Sequence, residues 1–461
     1  MNGFDKYFSS LEGREVAVLG MGVSNLPLAR LLVSRGAIVT AYDKKPPREL
    51  GQEAMELLEK GVKFVSGENY LSDIREDIIF RTPGLLPTAP ELIAAKERGA
   101  HITSEMELFY ELCPAKTVGI TGSDGKTTTS TLISEMLKKA GYKVWLGGNI
   151  GTPLLDKIPE MTENDVCVTE LSSFQLMDMK CSPDIAVVTN LAPNHLDKHG
   201  SMEEYCQAKK NIFLHQSENG VLVLNADCAV TAAFAPEAKG SVRLFSRKGE
   251  VGCGTWLEDG RLVSNIGGEK KTLFAAGDIR IPGLHNVENY MTAASAVFDL
   301  VSSDHMKAVA VDFGGVEHRL EFVRELRGVK YYNSSIDSSP SRTSAALGVF
   351  DKKVIVIVGG SDKNISFDSL GETLCQKAKA VILAGQTGEK IALAVRSAES
   401  YCEGAPVICN GENVVNAVSV AADLAKEGDV VLLSPACASF DAFKNFDQRG
   451  KVFKKAVLDL N

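Results

Sequence analysis

Short apolar runs alternate with amphipathic stretches along almost the whole chain. Glu15-Val16-Ala17-Val18-Leu19 and Ile38-Val39-Thr40-Ala41-Tyr42 read as strands. Between them Leu26, Leu28, Leu31 and Leu32 recur at helical spacing. Ile78-Ile79-Phe80 is a further strand, ending in the turn Arg81-Thr82-Pro83-Gly84. Beyond it, Thr117-Val118-Gly119-Ile120, Val166-Cys167-Val168-Thr169, Ile185-Ala186-Val187-Val188 and Val221-Leu222-Val223-Leu224 alternate with helices. The best marked of these helices places Leu132, Ile133, Met136 and Leu137 on one face before Gly141 ends it. Val354 to Val358, Ala380 to Leu383 and Val430 to Leu433 are unbroken apolar runs followed by glycine or small residues, the mark of strands buried on both faces. The pattern predicts an α/β protein with mostly parallel sheets, and it has no fixed-period repeat.

A length of 461 residues is on the order of three domains. Joints near Cys113-Pro114 and Asp312-Phe313-Gly314-Gly315 suggest domains of about 1–105, 106–315 and 316–461. We expect a Rossmann-like N-terminal domain, a P-loop central ATPase domain and a Rossmann-like C-terminal domain. With 44% hydrophobic and 24% charged residues the composition is that of an ordinary globular protein. A net charge of −9 without a basic block argues against nucleic acid or an anionic membrane as the main partner. Met1 to Ser10 lacks the basic and apolar regions of a signal peptide, and the longest apolar runs are strand-sized, so a cytoplasmic protein with no membrane insertion is expected. Ten cysteines without a Cys-x-x-Cys pair suit a reducing compartment and give no zinc signature; most are expected to fill the core.

Chemistry enters at Thr121-Gly122-Ser123-Asp124-Gly125-Lys126-Thr127-Thr128-Thr129, a glycine-rich turn joining a strand to a helix. Glycines let backbone N–H groups converge on an anion, and the helix N-terminus adds partial positive charge. Lys126 can reach the terminal phosphates and Thr127 can ligate Mg²⁺. A full Walker A sequence would have glycine where Ile120 stands. The turn Gly20-Met21-Gly22, with Asp43 ending the next strand, resembles a dinucleotide fingerprint, but its third glycine is Asn25. Two readings follow: an NAD site, or a mononucleotide or sugar-nucleotide site using the same turn. Glu170, Asn190 and His195 lie at strand ends, where open α/β sheets bind ligands; a hard Mg²⁺ on a triphosphate needs an oxygen ligand besides Thr127, and Glu170 offers one. Histidine is an uncommon Mg²⁺ ligand, so His195 read alone is as well a loop hydrogen bonder.

The loop Thr121 to Thr128, Gly148-Asn149-Ile150-Gly151, Thr169-Glu170-Leu171-Ser172-Ser173-Phe174-Gln175 and His195-Leu196-Asp197-Lys198-His199 together resemble the Mur ligases, the ATP-dependent amino-acid ligases of peptidoglycan synthesis. The resemblance spans all three domains. Ser434-Pro435-Ala436-Cys437-Ala438-Ser439-Phe440-Asp441-Ala442-Phe443-Lys444-Asn445-Phe446, followed by Arg449-Gly450, is most similar to the branch that adds D-glutamate to UDP-N-acetylmuramoyl-L-alanine. The resemblance implies three steps: ATP phosphorylates the substrate carboxylate, the amine of D-glutamate attacks the acyl phosphate, and the tetrahedral intermediate expels phosphate.

The resemblance also implies roles. Gly122 to Thr128 and Lys126 hold ATP, with Asn289 near the adenine and Arg319 at the phosphates. Thr127, Glu170 and His195 are metal ligands, and Asn149 lies near the reacting carboxylate. Lys209 falls where the family carries a carbamylated lysine that helps hold a second Mg²⁺; read alone, it is a solvated helix lysine. Gly22, Val23, Ser24, Asp43 and Thr82, with Asn149, receive the UDP-substrate, which accounts for the broken NAD fingerprint. Lys363, Ser338, Ser439 and Phe446 receive D-glutamate, and a monomer is expected. The chain departs from the family pattern at Ser334, where an acid near the ATP ribose is usual, and at Asn194, where an aspartate is usual. Asp337 would replace the missing acid only if its loop is rearranged.

Overall fold

The computed structural model describes residues 2–194, 196–362 and 365–461. They form two compact units, Met1–Asp278 with Val287–Val309, and Ile279–Asn286 with Ala310–Asn461.

The first unit holds two sheets. One is all-parallel, in the order Lys63–Ser66, Ile38–Asp43, Glu15–Leu19, Ile78–Arg81, His101–Thr103. Chain order reverses on either side of Glu15–Leu19, so the Gly20 turn at its C-terminal end sits at a topological switch point. The other sheet has nine strands, in the order Lys271–Ala275, Arg261–Ser264, Gly254–Glu258, Ser241–Ser246, Val221–Asn225, Ile185–Val188, Lys116–Thr121, Val166–Glu170, Val144–Gly148. All its pairings are parallel except those of Arg261–Ser264 with its two neighbours. Leu132, Ile133, Met136 and Leu137 are buried along the Lys126–Lys139 helix, as their spacing predicts.

In the second unit the order is Glu321–Leu326, Val329–Asn333, Val430–Leu433, Val354–Val358, Ala378–Ala384, Val407–Glu412, with only the first pair antiparallel. The Val354–Val358 strand is buried at every position, which is why its sequence shows no polar alternation.

One compositional expectation is corrected. Only Cys167, Cys375 and Cys437 are buried, five other cysteines are partly exposed, and Cys253 and Cys402 are exposed. The thiol is small enough to be tolerated at boundary positions, so most of these cysteines do not fill the core. All ten are free thiols. Among the described residues no helix is long and apolar enough to cross a membrane.

Candidate active site

The Lys116–Thr121 strand delivers the loop 122–125 to the start of the Lys126–Lys139 helix. Gly125 caps that helix at φ +79°, and a Cβ there would stand 2.6 Å from Asn289 Oδ1. At Gly122 (φ +148°) a Cβ would overlap Thr189 Oγ1. Neither position admits a side chain, and without one the backbone N–H groups of the loop are left accessible to an anion. The Lys126 ammonium lies across the loop, donating to the carbonyls of Gly122 (2.9 Å) and Ser123 (3.0 Å). Asn190 fixes the loop from outside, its Oδ1 accepting from the Asp124 backbone N–H at 2.9 Å. Thr128 follows on the first helical turn, and Thr129 Oγ1 donates to Asn289 Oδ1 at 3.3 Å, so Asn289 stands against the phosphate loop itself.

Three adjacent parallel strands end beside this loop, and they bring the predicted polar residues together. Glu170 is the last residue of the middle one and is 2% exposed. Its Oε2 accepts from Thr127 Oγ1 at 2.7 Å and its Oε1 from Asn149 Nδ2 at 2.8 Å. The Asn149 backbone N–H donates to the Glu170 carbonyl at 2.7 Å, locking the turn after Val144–Gly148 to the same strand end. One carboxylate thus joins the helix start to a neighbouring strand end, in a set of hard oxygen donors that suits Mg²⁺.

Lys209 is the surprise of this site. A solvated helix lysine was one reading, but on the Met202–Leu214 helix Lys209 is 1% exposed. Its Nζ donates to Thr121 Oγ1 and to the Gly122 carbonyl, both at 3.0 Å, and lies 4.9 Å over the Tyr205 ring. Burial first, and then the like charge of Lys126, lowers its pKa from 10.5 to about 7. Tyr205 sits one helical turn earlier, and its hydroxyl is 3.0 Å from Ser123 Oγ. Lys126, Asn149, Phe174, Tyr205 and Lys209 line a cavity of about 280 Å³, together with Pro83 and Gly84. His195 lies outside the described residues, while Asn194 is exposed at the cavity.

At the other sheet of this unit, Asp43 Oδ2 accepts from the Met21 backbone N–H at 2.7 Å, closing the Gly20-Met21-Gly22 turn. Asn25, in place of a third glycine, donates to the carbonyls of Leu19 (3.1 Å) and Gly20 (2.8 Å). Gly22 and Val23 line an open cleft beside the turn, and Ser24 is the N-cap of the Asn25–Ser34 helix. Thr82 begins the turn after Ile78–Arg81, its backbone N–H bonded to the Leu19 carbonyl at 3.0 Å.

In the second unit Ser338 follows Val329–Asn333 in a loop, Ser439 follows Val430–Leu433, and Phe446 opens the Phe446–Asp459 helix. Arg449 holds these segments from beneath, donating to the carbonyls of Ser335 (2.8 Å), Cys437 (3.0 Å) and Ala438 (3.0 Å). Ser335 Oγ in turn donates to the Phe446 carbonyl at 2.8 Å. Burial lowers the Arg449 guanidinium to about 10. Arg319 follows His318, whose ring lies 2.8 Å from the Asn333 amide and 3.2 Å from Asp447. The Asp337 carboxyl is turned inward to accept from Ser434 Oγ at 2.8 Å, and burial raises its pKa. Lys363 lies outside the described residues.

Residues 120–297 match the family model "Mur ligase middle domain", and 318–437 match "Mur ligase, glutamate ligase domain". The UDP-N-acetylmuramoylalanine--D-glutamate ligase of Acetivibrio thermocellus is 51% identical over 460 residues, 99% of this chain and 98% of that protein. The chain belongs to the Mur ligase family. The ligase of the same name from Clostridium botulinum (strain Hall) is 51% identical over 462 residues, covering both chains completely. The crystal structure of a Mur ligase from Thermotoga maritima, UDP-N-acetylmuramate-alanine ligase, shares the fold with a TM-score of 0.56 at 17% identity, over 96% of this chain and 98% of that one. Mur ligases depend on ATP, in accord with the loop at Gly122–Thr128. Sequence reasoning assigned no role to Tyr205 or Arg449. The i, i+4 spacing of Tyr205 and Lys209 was the available signal for the first, whereas Arg449 was marked only with Gly450 in the family match, because its bonds reach two segments, at Ser335 and at Cys437-Ala438, that no local pattern links.

Proposed function

We propose that this protein joins D-glutamate to UDP-N-acetylmuramoylalanine, using ATP and releasing ADP and phosphate, in the synthesis of peptidoglycan precursors. The observation that carries the reading is the Glu170 carboxylate held between Thr127 and Asn149 beside a phosphate loop, in a chain about half identical to full-length ligases of that name.

The donor set fits the ligands the reaction requires. The N–H groups of Gly122 to Thr128 and the Lys126 ammonium would take the triphosphate, with Asn289 and Arg319 completing its surroundings. Bound Mg²⁺ would neutralise charge on the phosphate oxygens, and we assign Thr127, Glu170, His195 and a carbamylated Lys209 as ligands of two ions. A carboxylate is a poor acyl donor until one oxygen becomes part of a leaving group. Lys126 therefore positions the transferring phosphoryl group and Asn149 orients the accepting carboxylate. The D-glutamate amine then attacks the acyl carbon, and the tetrahedral intermediate expels inorganic phosphate.

We place the UDP end of the substrate at Gly22, Val23, Ser24, Asp43 and Thr82, and D-glutamate at Ser338, Lys363, Ser439 and Phe446. The inward-turned Asp337 supports a ribose contact other than an acid in that loop. We take the domains as 1–105, 106–315 and 316–461, and the protein as a cytoplasmic monomer. The test is phosphate release with ATP, the UDP-substrate and one of D-glutamate, L-glutamate, L-alanine or L-lysine. Release with D-glutamate alone is expected; preference for another acceptor would refute the assignment.

A further inference from the structure

Arg81 ends the Ile78–Arg81 strand immediately before the turn Thr82-Pro83-Gly84-Leu85, yet only 2% of it is exposed. Its Nη1 donates to the carbonyls of Thr82 (3.2 Å) and Leu85 (2.6 Å), and its Nη2 pairs with the Asp178 carboxylate. Its Nε is buried with no partner among the described residues. Asp178 lies in the turn directly after the Ser173–Leu176 helix. Pro83, Gly84, Ser173 and Phe174 all line the cavity.

One guanidinium thus ties the backbone of the 82–85 turn, which lines the cavity, to a carboxylate just after the Ser173–Leu176 helix, which lines it too. Burying a cation is unfavourable unless the geometry satisfies it, and here one donor is left unused, so stability alone is a poor account of the arrangement. The rigid fork of arginine defines two directions at once, which a point charge on a flexible stem does not. We propose that the Arg81–Asp178 pair is a positioning clamp: it sets the spacing between the substrate-bearing turn at Thr82 and the phosphate loop, so that the substrate carboxylate meets the phosphoryl donor. The inference rests on the ligase reading above, because that reading places the UDP-substrate on the Thr82 turn.

Wild-type enzyme is assayed first. If it releases no D-glutamate-dependent phosphate, the ligase reading fails and the clamp is not at issue. With active wild type, Arg81→Met and Asp178→Asn should each lower kcat/KM for the UDP-substrate about ten- to a hundredfold while leaving KM for ATP nearly unchanged, since misplacing a reacting group by an ångström has such an effect. The double variant should be no worse than the weaker single one, Arg81→Lys should recover part of the loss, and amide exchange across residues 82–86 should quicken in Arg81→Met. The Asp178 side chain is 37% exposed, so Asp178→Asn carries the test if Arg81→Met does not fold. Unchanged kcat and KM in Asp178→Asn, additive losses in the double variant, or an equal loss of ATP affinity would overturn the clamp.

Discussion

Lys209 should be converted to a carbamate in the active enzyme. The reaction is addition of the neutral amine to CO₂, giving an N-carboxylate and releasing one proton, so only the unprotonated amine takes part. A lysine in water keeps a pKa near 10.5, and at pH 7.5 about one such amine in a thousand is neutral. Burial and the Lys126 charge lower the Lys209 value to about 7, which makes about three quarters of it neutral at that pH, a gain of several hundredfold in reactive form. The product suits the place. An ammonium at Lys209 would be repelled by Mg²⁺ at Thr127 and Glu170, whereas a carbamate is the hard, anionic, bidentate oxygen ligand Mg²⁺ prefers. The sign of the pH dependence follows: carbamylation falls as pH drops below about 7 and saturates above it. Carbon-13 NMR with labelled bicarbonate should show one carbamate that is absent in Lys209→Ala. That variant should be nearly inactive, and formate or acetate should restore part of its activity by supplying a carboxylate. Full turnover of Lys209→Ala in CO₂-depleted buffer would refute the reasoning, as would a labelled carbamate that grows as pH falls from 8 to 6.

Lys126→Ala should abolish phosphoryl transfer while leaving calorimetric binding of the UDP-substrate nearly intact; equal loss of both ligands would contradict the division of labour between the two sheets. Lys363→Ala should raise KM for D-glutamate roughly ten- to a hundredfold, the value of a charged hydrogen bond, with a smaller change for ATP. An unchanged KM for D-glutamate would move the acceptor site elsewhere. Glu105, on the Glu105–Leu112 helix, is buried, which raises its pKa from 4.5 to about 7. The folded state therefore binds this proton more tightly than the unfolded state, and the stability it contributes below pH 4.5 is lost as pH rises to about 7. Glu105→Gln should remove a penalty of up to about 3 kcal/mol at pH 8 and change little at pH 4.5, read as Tm at the two pH values. A Tm gain that did not grow with pH would show that Glu105 titrates normally.

What the sequence made legible depended on how far each feature reaches along the chain. The strands Val354–Val358 and Ile185–Val188 were readable to the residue because burial on both faces imprints an unbroken apolar run. The phosphate loop was readable because its demands fall on consecutive residues: glycine where a Cβ collides, lysine and threonine at the helix start. The antiparallel strands Arg261–Ser264 and Lys271–Ala275 escaped notice, since an edge hairpin needs only brief, imperfect alternation. Site residues were legible by type but not by state. Glu170 was marked as an oxygen ligand, yet its grip on both Thr127 and Asn149 arises from the order of three strands, which no local pattern encodes. Lys209 shows the limit most clearly, because the neighbouring Lys210 has the same local sequence but lies 19% exposed and pairs with Glu237. One residue's rotation about the helix, 100° by α-helical geometry, separates an ordinary surface ion pair from a buried amine poised for chemistry. Only the packing of that helix against the phosphate-loop strand distinguishes the two.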